Sequence, residues 1–431
     1  MVKIVFLGAG STVFAKSVLG DCLHVPELKD AHIALVDIDP ERLADSETMI
    51  QNLNRNLSAQ ATVQATVDRR KALAGADFVV NAIQVGGYEP STVIDFEVPK
   101  KYGLRQTIGD TLGIGGIFRA LRTIPVMLEF AHDIQELCPD AWFLNYTNPM
   151  GMLTGAILRA TGINMVGLCH SVQGCATHLC GMLELPNDNL QWRIAGINHQ
   201  GWLLELSREG VDLYPEVKRR AALPEYNKKD AVRFEVMKRF GYYVTESSEH
   251  SSEYLPYFIK STHPELIDRF HIPLDEYPRR CIGQIEGWKK MRQELTESKD
   301  LVHNRGGEYA SYIIESVLKD VPYSIGGNVL NNGLITNLPF DCCVEVPCLI
   351  NRNGVQGCYV GALPPQCAAV TQTNVNVQLL TIEAALTQKR DHVYHAALLD
   401  PHTSAELTID EIVALCDDLI EAHGDMLPTY A

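Results

Sequence analysis

A buried strand that breaks at a glycine and restarts as a helix opens this chain: Val2-Lys3-Ile4-Val5-Phe6-Leu7 runs into Gly8-Ala9-Gly10-Ser11-Thr12. That order constrains the fold because it builds an anion site. Gly8 permits the tight turn and Gly10 lets the backbone approach a pyrophosphate. The first amides of the helix that starts at Ser11 and Thr12 point at its charge. A second apolar run, residues 33–36, ends at Asp37, where a carboxylate is placed to meet a ribose hydroxyl. An acid there repels a 2′-phosphate, so the unit is read as a site for NAD rather than NADP. The usual third glycine is Val13 here, so the reading rests on the whole strand–turn–helix–strand–Asp unit.

The pattern repeats. Apolar runs at 4–7, 33–36, 78–83, 142–146 and 165–168 alternate with helical spacing, which predicts an α/β fold with a Rossmann-like, doubly wound parallel sheet of the lactate/malate dehydrogenase kind. Residues 8–12, 84–89, 147–149 and 169–172 follow four of these runs and should share one crevice beyond the strand ends. After about residue 190 the pattern changes. Residues 193–197 and 202–206 read as strands, 224–230 as a polar break, and helical sequence then dominates. Residues 407–424 give a clear helix, with Thr408 to cap it and Gly424 to end it. Two domains are expected: an NAD-binding domain over 1–190, and a mixed, mainly helical domain over 191–431 for substrate, metal and oligomerisation.

A net charge of −16 argues against nucleic acid or an anionic membrane surface as partner. No apolar run reaches the roughly 18 residues of a membrane span. The run at 4–7 is too short for a signal-peptide core, which points to the cytoplasm. The twelve cysteines are irregularly spaced and are read as reduced thiols. Cys175/Cys180 and Cys342/Cys343/Cys348 fit no tetrahedral metal spacing and are expected to be buried.

Two strand ends carry metal-binding chemistry. Cys169-His170-Ser171-Val172 follows one, and Gly196-Ile197-Asn198-His199-Gln200-Gly201-Trp202 follows another. A Cys169 thiolate and a His199 imidazole suit a borderline divalent ion if neighbouring strands bring them together. Either residue alone has the plainer reading of a core thiol or a satisfied polar group. Asn145-Tyr146-Thr147-Asn148-Pro149 offers amides to sugar hydroxyls or cofactor, or is an Asn-Pro turn. Gly109-Asp110-Thr111, with Gly113, Gly115 and Gly116, is a second glycine-rich loop, placed to close over the nicotinamide or to act as a connector. Residues 242–254 hold Glu246, Glu249, His250, Glu253 and Tyr254, a density that suits a polar pocket needing a base or a solvated loop.

Taken together, Gly8-Ala9-Gly10-Ser11-Thr12, Ile108-Gly109-Asp110-Thr111, Asn145-Tyr146-Thr147-Asn148-Pro149-Met150, Cys169-His170-Ser171-Val172 and Gly196-Ile197-Asn198-His199 resemble the NAD-dependent glycoside hydrolases of family 4. These enzymes stand outside the usual two-carboxylate scheme. The likeness extends through Arg305-Gly306-Gly307-Glu308-Tyr309 and the segment from Asn331 to Pro339. Cys-His-Ser-Val is similar to the α-galactosidases of the family, so the resemblance implies an α-galactoside such as melibiose. The family's α-glucosidases and α-galacturonidases also place His after Cys.

What the resemblance implies is a redox cycle in which NAD takes and returns a hydride at C3, with elimination and water addition across C2 and C1. It implies Mn²⁺ on Cys169 and His199, and substrate contact by Asn148. His170 stands where phospho-specific members carry an acidic proton donor. Tyr254, Glu246 and His250 are candidates for the C2 base, and Asp110 is grouped with these catalytic candidates. A homo-oligomer, dimer or tetramer, is implied as well. Two other readings stay open: an NAD-dependent hydroxy-acid dehydrogenase, in which Cys169 and His199 are incidental, and a catalytically silent NAD-binding protein.

Overall fold

The computed structural model describes residues 1–298 and 300–431. Its strands are β1 (Lys3–Leu7), β2 (His32–Val36), β3 (Thr62–Thr66), β4 (Phe78–Asn81), β5 (Trp142–Asn145), β6 (Asn164–Leu168), β7 (Leu190–Ile197), β8 (Gln200–Arg208), β9 (Val211–Asp212), β10 (Tyr243–Val244), β11 (Tyr323–Leu330), β12 (Cys343–Asn351) and β13 (Gly354–Gly357). The first six pair in parallel in the order β3-β2-β1-β4-β5-β6, the arrangement of doubly wound dinucleotide-binding sheets. Strands β1 and β4 are buried almost throughout. Helices cover both faces of such a sheet, which is why these strands read as unbroken apolar runs. Chain order reverses at β1, so ligands are expected beyond its carboxyl end and that of β4.

The five apolar runs of the N-terminal region all form strands. β3 has no such run, because Thr-Val-Gln-Ala-Thr lies half-exposed at the sheet edge. In the C-terminal half the two expected strands form within β7 and β8, and the difference is the presence of further strands beyond them. β11 pairs antiparallel with β6, β12 with β11, and β7 with β12, so the sheet continues without a break into β8 and β10. Gly326, Gly327, Pro347 and a buried Glu345 interrupt any apolar alternation in these strands. Gly327 is there because a Cβ would stand 2.8 Å from Cys348 Sγ. One hydrophobic cluster joins Ile4 and Phe6 of β1 to Trp202 of β8 and Val344 of β12, so the two halves share a core.

On the parallel half, helix Gly113–Leu137 packs against helices Met150–Ala160 and Pro365–Thr387. Helix Ile409–His423 starts with a full capping box between Thr408 and Glu411 and ends at Gly424. Among the described residues, no helix is long and apolar enough to cross a membrane.

Candidate active site

The turn after β1 has the geometry its sequence calls for. Gly8 holds φ at +85°, and a Cβ on it would meet the Ala82 carbonyl oxygen at 2.7 Å. Its amide and that of Ala9 bond the Val36 carbonyl at the end of β2. This brings Asp37 over the loop, where its Oδ2 accepts from Gly10 N at 2.6 Å. A Cβ on Gly10 would stand 2.7 Å from that same oxygen. Helix Thr12–His24 follows with no acid in its first turn and no side-chain bond from Ser11 to its amides. Thr12 is buried against Ser46, Oγ1 to Oγ at 2.9 Å, and Ser46 donates to the Ala9 carbonyl. The result is a bare backbone cradle with uncapped amides on one side and a carboxylate on the other. It fits a pyrophosphate and a ribose diol.

Cys169 directly follows β6, and His199 sits in the two-residue turn between β7 and β8. The fold brings them together with Glu246: the ligand atoms of Cys169, His199 and Glu246 all lie within 4.8 Å of one another. Asp110, His199 and His250 form a second group on the same scale. His199 Nε2 faces Glu246 Oε2 at 3.6 Å, and its Nδ1 lies 3.1 Å from Tyr254 Oη. His250 bridges the remaining acids, with Nδ1 3.5 Å from Glu246 Oε1 and Nε2 3.7 Å from Asp110 Oδ1. All six candidate ligand and base residues thus form one cluster.

Its electrostatics are those of a cation site. Burial opposes charge on His199, but Glu246, Cys169 and Asp110 outweigh it and hold the imidazole up at about 10. Burial also opposes charge on Glu246, which His199 and His250 nonetheless keep below the usual carboxylate range. Burial pushes the Tyr254 phenol well up, and the nearby acids Asp110 and Glu253 add to the effect. Without an ion the acids thus hold a proton on His199, a positive charge that a divalent ion would replace, and a thiolate, an imidazole and a carboxylate are a suitable donor set for it. With Nδ1 engaged by Tyr254, Nε2 is the nitrogen left for an ion.

Beside this cluster lies a cavity of about 400 Å³ lined by Phe14, Ile83, Gln84, Asp110, Arg119, Tyr146, Asn148, Cys169, His170 and Tyr277. The ends of β4, β5 and β6 therefore do open into one crevice. Asn148 Oδ1 is buried there and accepts no hydrogen bond from the protein. Arg119 donates to the Asn148 carbonyl at 3.3 Å and to Tyr277 Oη at 3.1 Å. His170 points its Nε2 at Glu308 Oε2, 2.8 Å away, and its ring lies between Tyr146 and Tyr309. The bond to Glu308 raises the His170 pKa, against burial.

Several supporting residues carry no local sequence signal. Glu253 is buried and accepts from the amides of Thr107, Ile108 and Gly109, which fixes the loop bearing Asp110. Asp21, also buried, bonds His303 and the amides of Gly306 and Glu308, and so anchors the partner of His170. Glu345, from β12, receives Asn328 Nδ2 at 3.0 Å beside the His199 turn. The partners of Glu253 and Asp21 lie far away in the chain, and a lone acid among the apolar residues of β12 is the one sequence signal that could mark Glu345. The remaining cysteines are unpaired, and Cys175, Cys180, Cys342, Cys343 and Cys348 are buried as expected.

Two family models cover this architecture in succession. Residues 3–185 match the family 4 glycosyl hydrolase model, and residues 194–403 match that of the family 4 glycosyl hydrolase C-terminal domain. The chain belongs to glycosyl hydrolase family 4. It is 58% identical over its full length, and that of the relative, to an alpha-galactosidase of Bacillus subtilis. Identity to an alpha-galactosidase of Rhizobium meliloti is 36%, covering all of this chain and 90% of that one. Its fold matches a 6-phospho-alpha-glucosidase from gut microorganisms, solved with NAD and Mn²⁺, at a TM-score of 0.82 and 20% identity over the whole of both chains.

Proposed function

We propose that the protein is an α-galactosidase that hydrolyses terminal α-galactosides such as melibiose, using NAD and a divalent ion, Mn²⁺, without net consumption of NAD. The observation that carries this reading is that the cavity lined by Cys169 and Asp110 of the ion cluster is also lined by Phe14, from the helix that starts at the nucleotide turn, and by Ala82, which packs on Gly8. One sugar can therefore meet both a hydride acceptor and a Lewis acid. The 58% full-length identity to an alpha-galactosidase supports the choice of sugar.

Gly8, Gly10, Ser11 and Thr12 would hold the pyrophosphate of NAD and Asp37 its ribose. Cys169 and His199 would hold the ion. Bound there, NAD would supply reversible hydride transfer at C3, leaving a ketone that acidifies the C2 proton, and the ion would polarise the sugar oxygens. The protein's own groups do the rest. Asn148, with a buried acceptor free and its backbone held by Arg119, orients a sugar hydroxyl. His170, kept protonated to higher pH by Glu308, gives a proton to the departing aglycone oxygen. Tyr254, Glu246 and His250 stand around the ion as groups able to take the C2 proton. Asp110 holds His250 in place and, buried, is kept below the usual carboxylate range mainly by that imidazole.

A panel of 4-nitrophenyl α-galactoside, α-glucoside and α-galacturonide, each with NAD and Mn²⁺ present, tests the sugar. The α-galactoside is expected to have the highest kcat/KM, and a preference for either other glycoside removes the galactoside assignment. The same preparation, run as a homo-oligomer or a monomer on a calibrated sizing column, tests the dimer or tetramer expected of it.

A further inference from the structure

His199 and Glu246 share an uncommon backbone conformation, with φ of +62° and +71°. Residues other than glycine carry on the order of 1–3 kcal/mol of strain in this region, so the surroundings must impose it. At Glu246 the constraint is visible. Arg233 is buried, pairs through Nε with Asp230 Oδ1 at 2.9 Å, and donates from Nη1 to the Glu246 carbonyl. With its backbone fixed this way, Glu246 turns its carboxylate inward. Oε2 faces His199 Nε2 at 3.6 Å and Oε1 faces His250 Nδ1 at 3.5 Å.

Three donors of different elements, Cys169 Sγ, a His199 nitrogen and a Glu246 oxygen, then lie within 4.8 Å of one another. Two ligands of a single ion stand no farther apart than the sum of their bonds, roughly 4 to 4.5 Å, so a triad within 4.8 Å has only a few tenths of an ångström at most to draw in. Charge favours the same arrangement. A thiolate alone leaves one positive charge of a divalent ion uncompensated within its direct ligand set, whereas a thiolate with a carboxylate neutralises it. Hardness also agrees. A thiolate and an imidazole by themselves suit zinc, and the carboxylate oxygen moves the set toward manganese.

We infer that Glu246 is the third protein ligand of the divalent ion rather than the base that takes the C2 proton. The inference rests on the proposed role of Cys169 and His199 as ligands. It leaves Tyr254 and His250 as candidate bases.

The test is a titration of Mn²⁺ into the full-length, NAD-loaded protein, following the electron paramagnetic resonance of free Mn²⁺. Wild type, Cys169→Ser, Glu246→Gln and Glu246→Asp are compared, with NAD affinity measured on each as the check of fold. Removing a first ligand should cost at least the roughly 10–100-fold typical of outer partners. Both Glu246 variants are therefore expected to raise the Mn²⁺ Kd tenfold or more. The Asp variant keeps the charge but withdraws the oxygen by one methylene, so it separates ligation from attraction at a distance, and it serves alone if the Gln variant loses NAD binding. A wild-type Kd in the Asp variant overturns the inference. Absence of Mn²⁺ binding in the wild type overturns instead the ion site on which it rests.

Discussion

Cys169 directly follows a parallel strand and His199 turns an antiparallel hairpin, yet their ligand atoms lie within 4.8 Å of each other. The contact exists because β11 and β12 join the two halves of the sheet edge to edge, carrying the β7–β8 turn to the carboxyl end of β6. The ion site is thus a product of the whole sheet.

Replacing Cys169 by Ser should lower cleavage of an α-galactoside by roughly 100-fold or more, since a neutral hydroxyl is a poor stand-in for a thiolate. NAD affinity should remain, because the Gly8–Gly10 turn lies apart from the cluster. Activity near wild type in that variant removes Cys169 from the ion site.

At the cofactor turn, Gly10→Ala would put a methyl 2.7 Å from Asp37 Oδ2 and force the carboxylate away. Kd for NAD, from fluorescence titration, should rise about tenfold or more, equivalent to about 1.4 kcal/mol, with Mn²⁺ affinity unchanged. Equal NAD affinity would show that Asp37 and Gly10 do not form the ribose and pyrophosphate site.

This turn was the most legible part of the chain, because every residue it needs lies in one short segment ending at Asp37. The catalytic neighbourhood was legible only as residue types. Residues 242–254 gave Glu246, His250 and Tyr254 as candidates, but sequence does not show that helix Ser248–Glu253 is buried, or that Tyr254 meets His199. Glu253 stands out in the sequence only as one acid of a polar stretch, Glu308 only as part of a family segment, and Asp21 not at all, since each acts on a segment far away in the chain. β11 and β12 were missed because glycines, Pro347 and Glu345 break the alternation by which a strand is recognised.

Glu345 makes a prediction about pH. It is buried, and burial pushes its pKa up to about 7, from an ordinary value of 4.5. A carboxyl raised on folding stabilises the native state below its unfolded pKa, and that stability is lost as pH rises through the folded value. Between about pH 4.5 and 7 the loss approaches about 3 kcal/mol. Glu345→Gln should therefore show a flatter fall of Tm than the wild type across this window, in protein free of ion. Parallel Tm curves would contradict a buried, proton-retaining Glu345.

For His170, the bond to Glu308 keeps the proton on to higher pH than an isolated imidazole would. If His170 protonates the leaving group, kcat falls as pH rises through its pKa. Glu308→Gln should move that alkaline limb to lower pH, with a lower kcat at neutral pH. A limb unmoved by the substitution would assign the proton to another group.

The most direct test of the account is cleavage of 4-nitrophenyl α-galactoside in the complete mixture and with NAD, Mn²⁺ or thiol reductant omitted in turn, with NADH absorbance followed throughout. Each omission is expected to abolish or sharply lower cleavage, with no NADH accumulating during turnover. Cleavage independent of NAD, or NADH building up in step with substrate loss, would contradict a redox cycle that closes on itself.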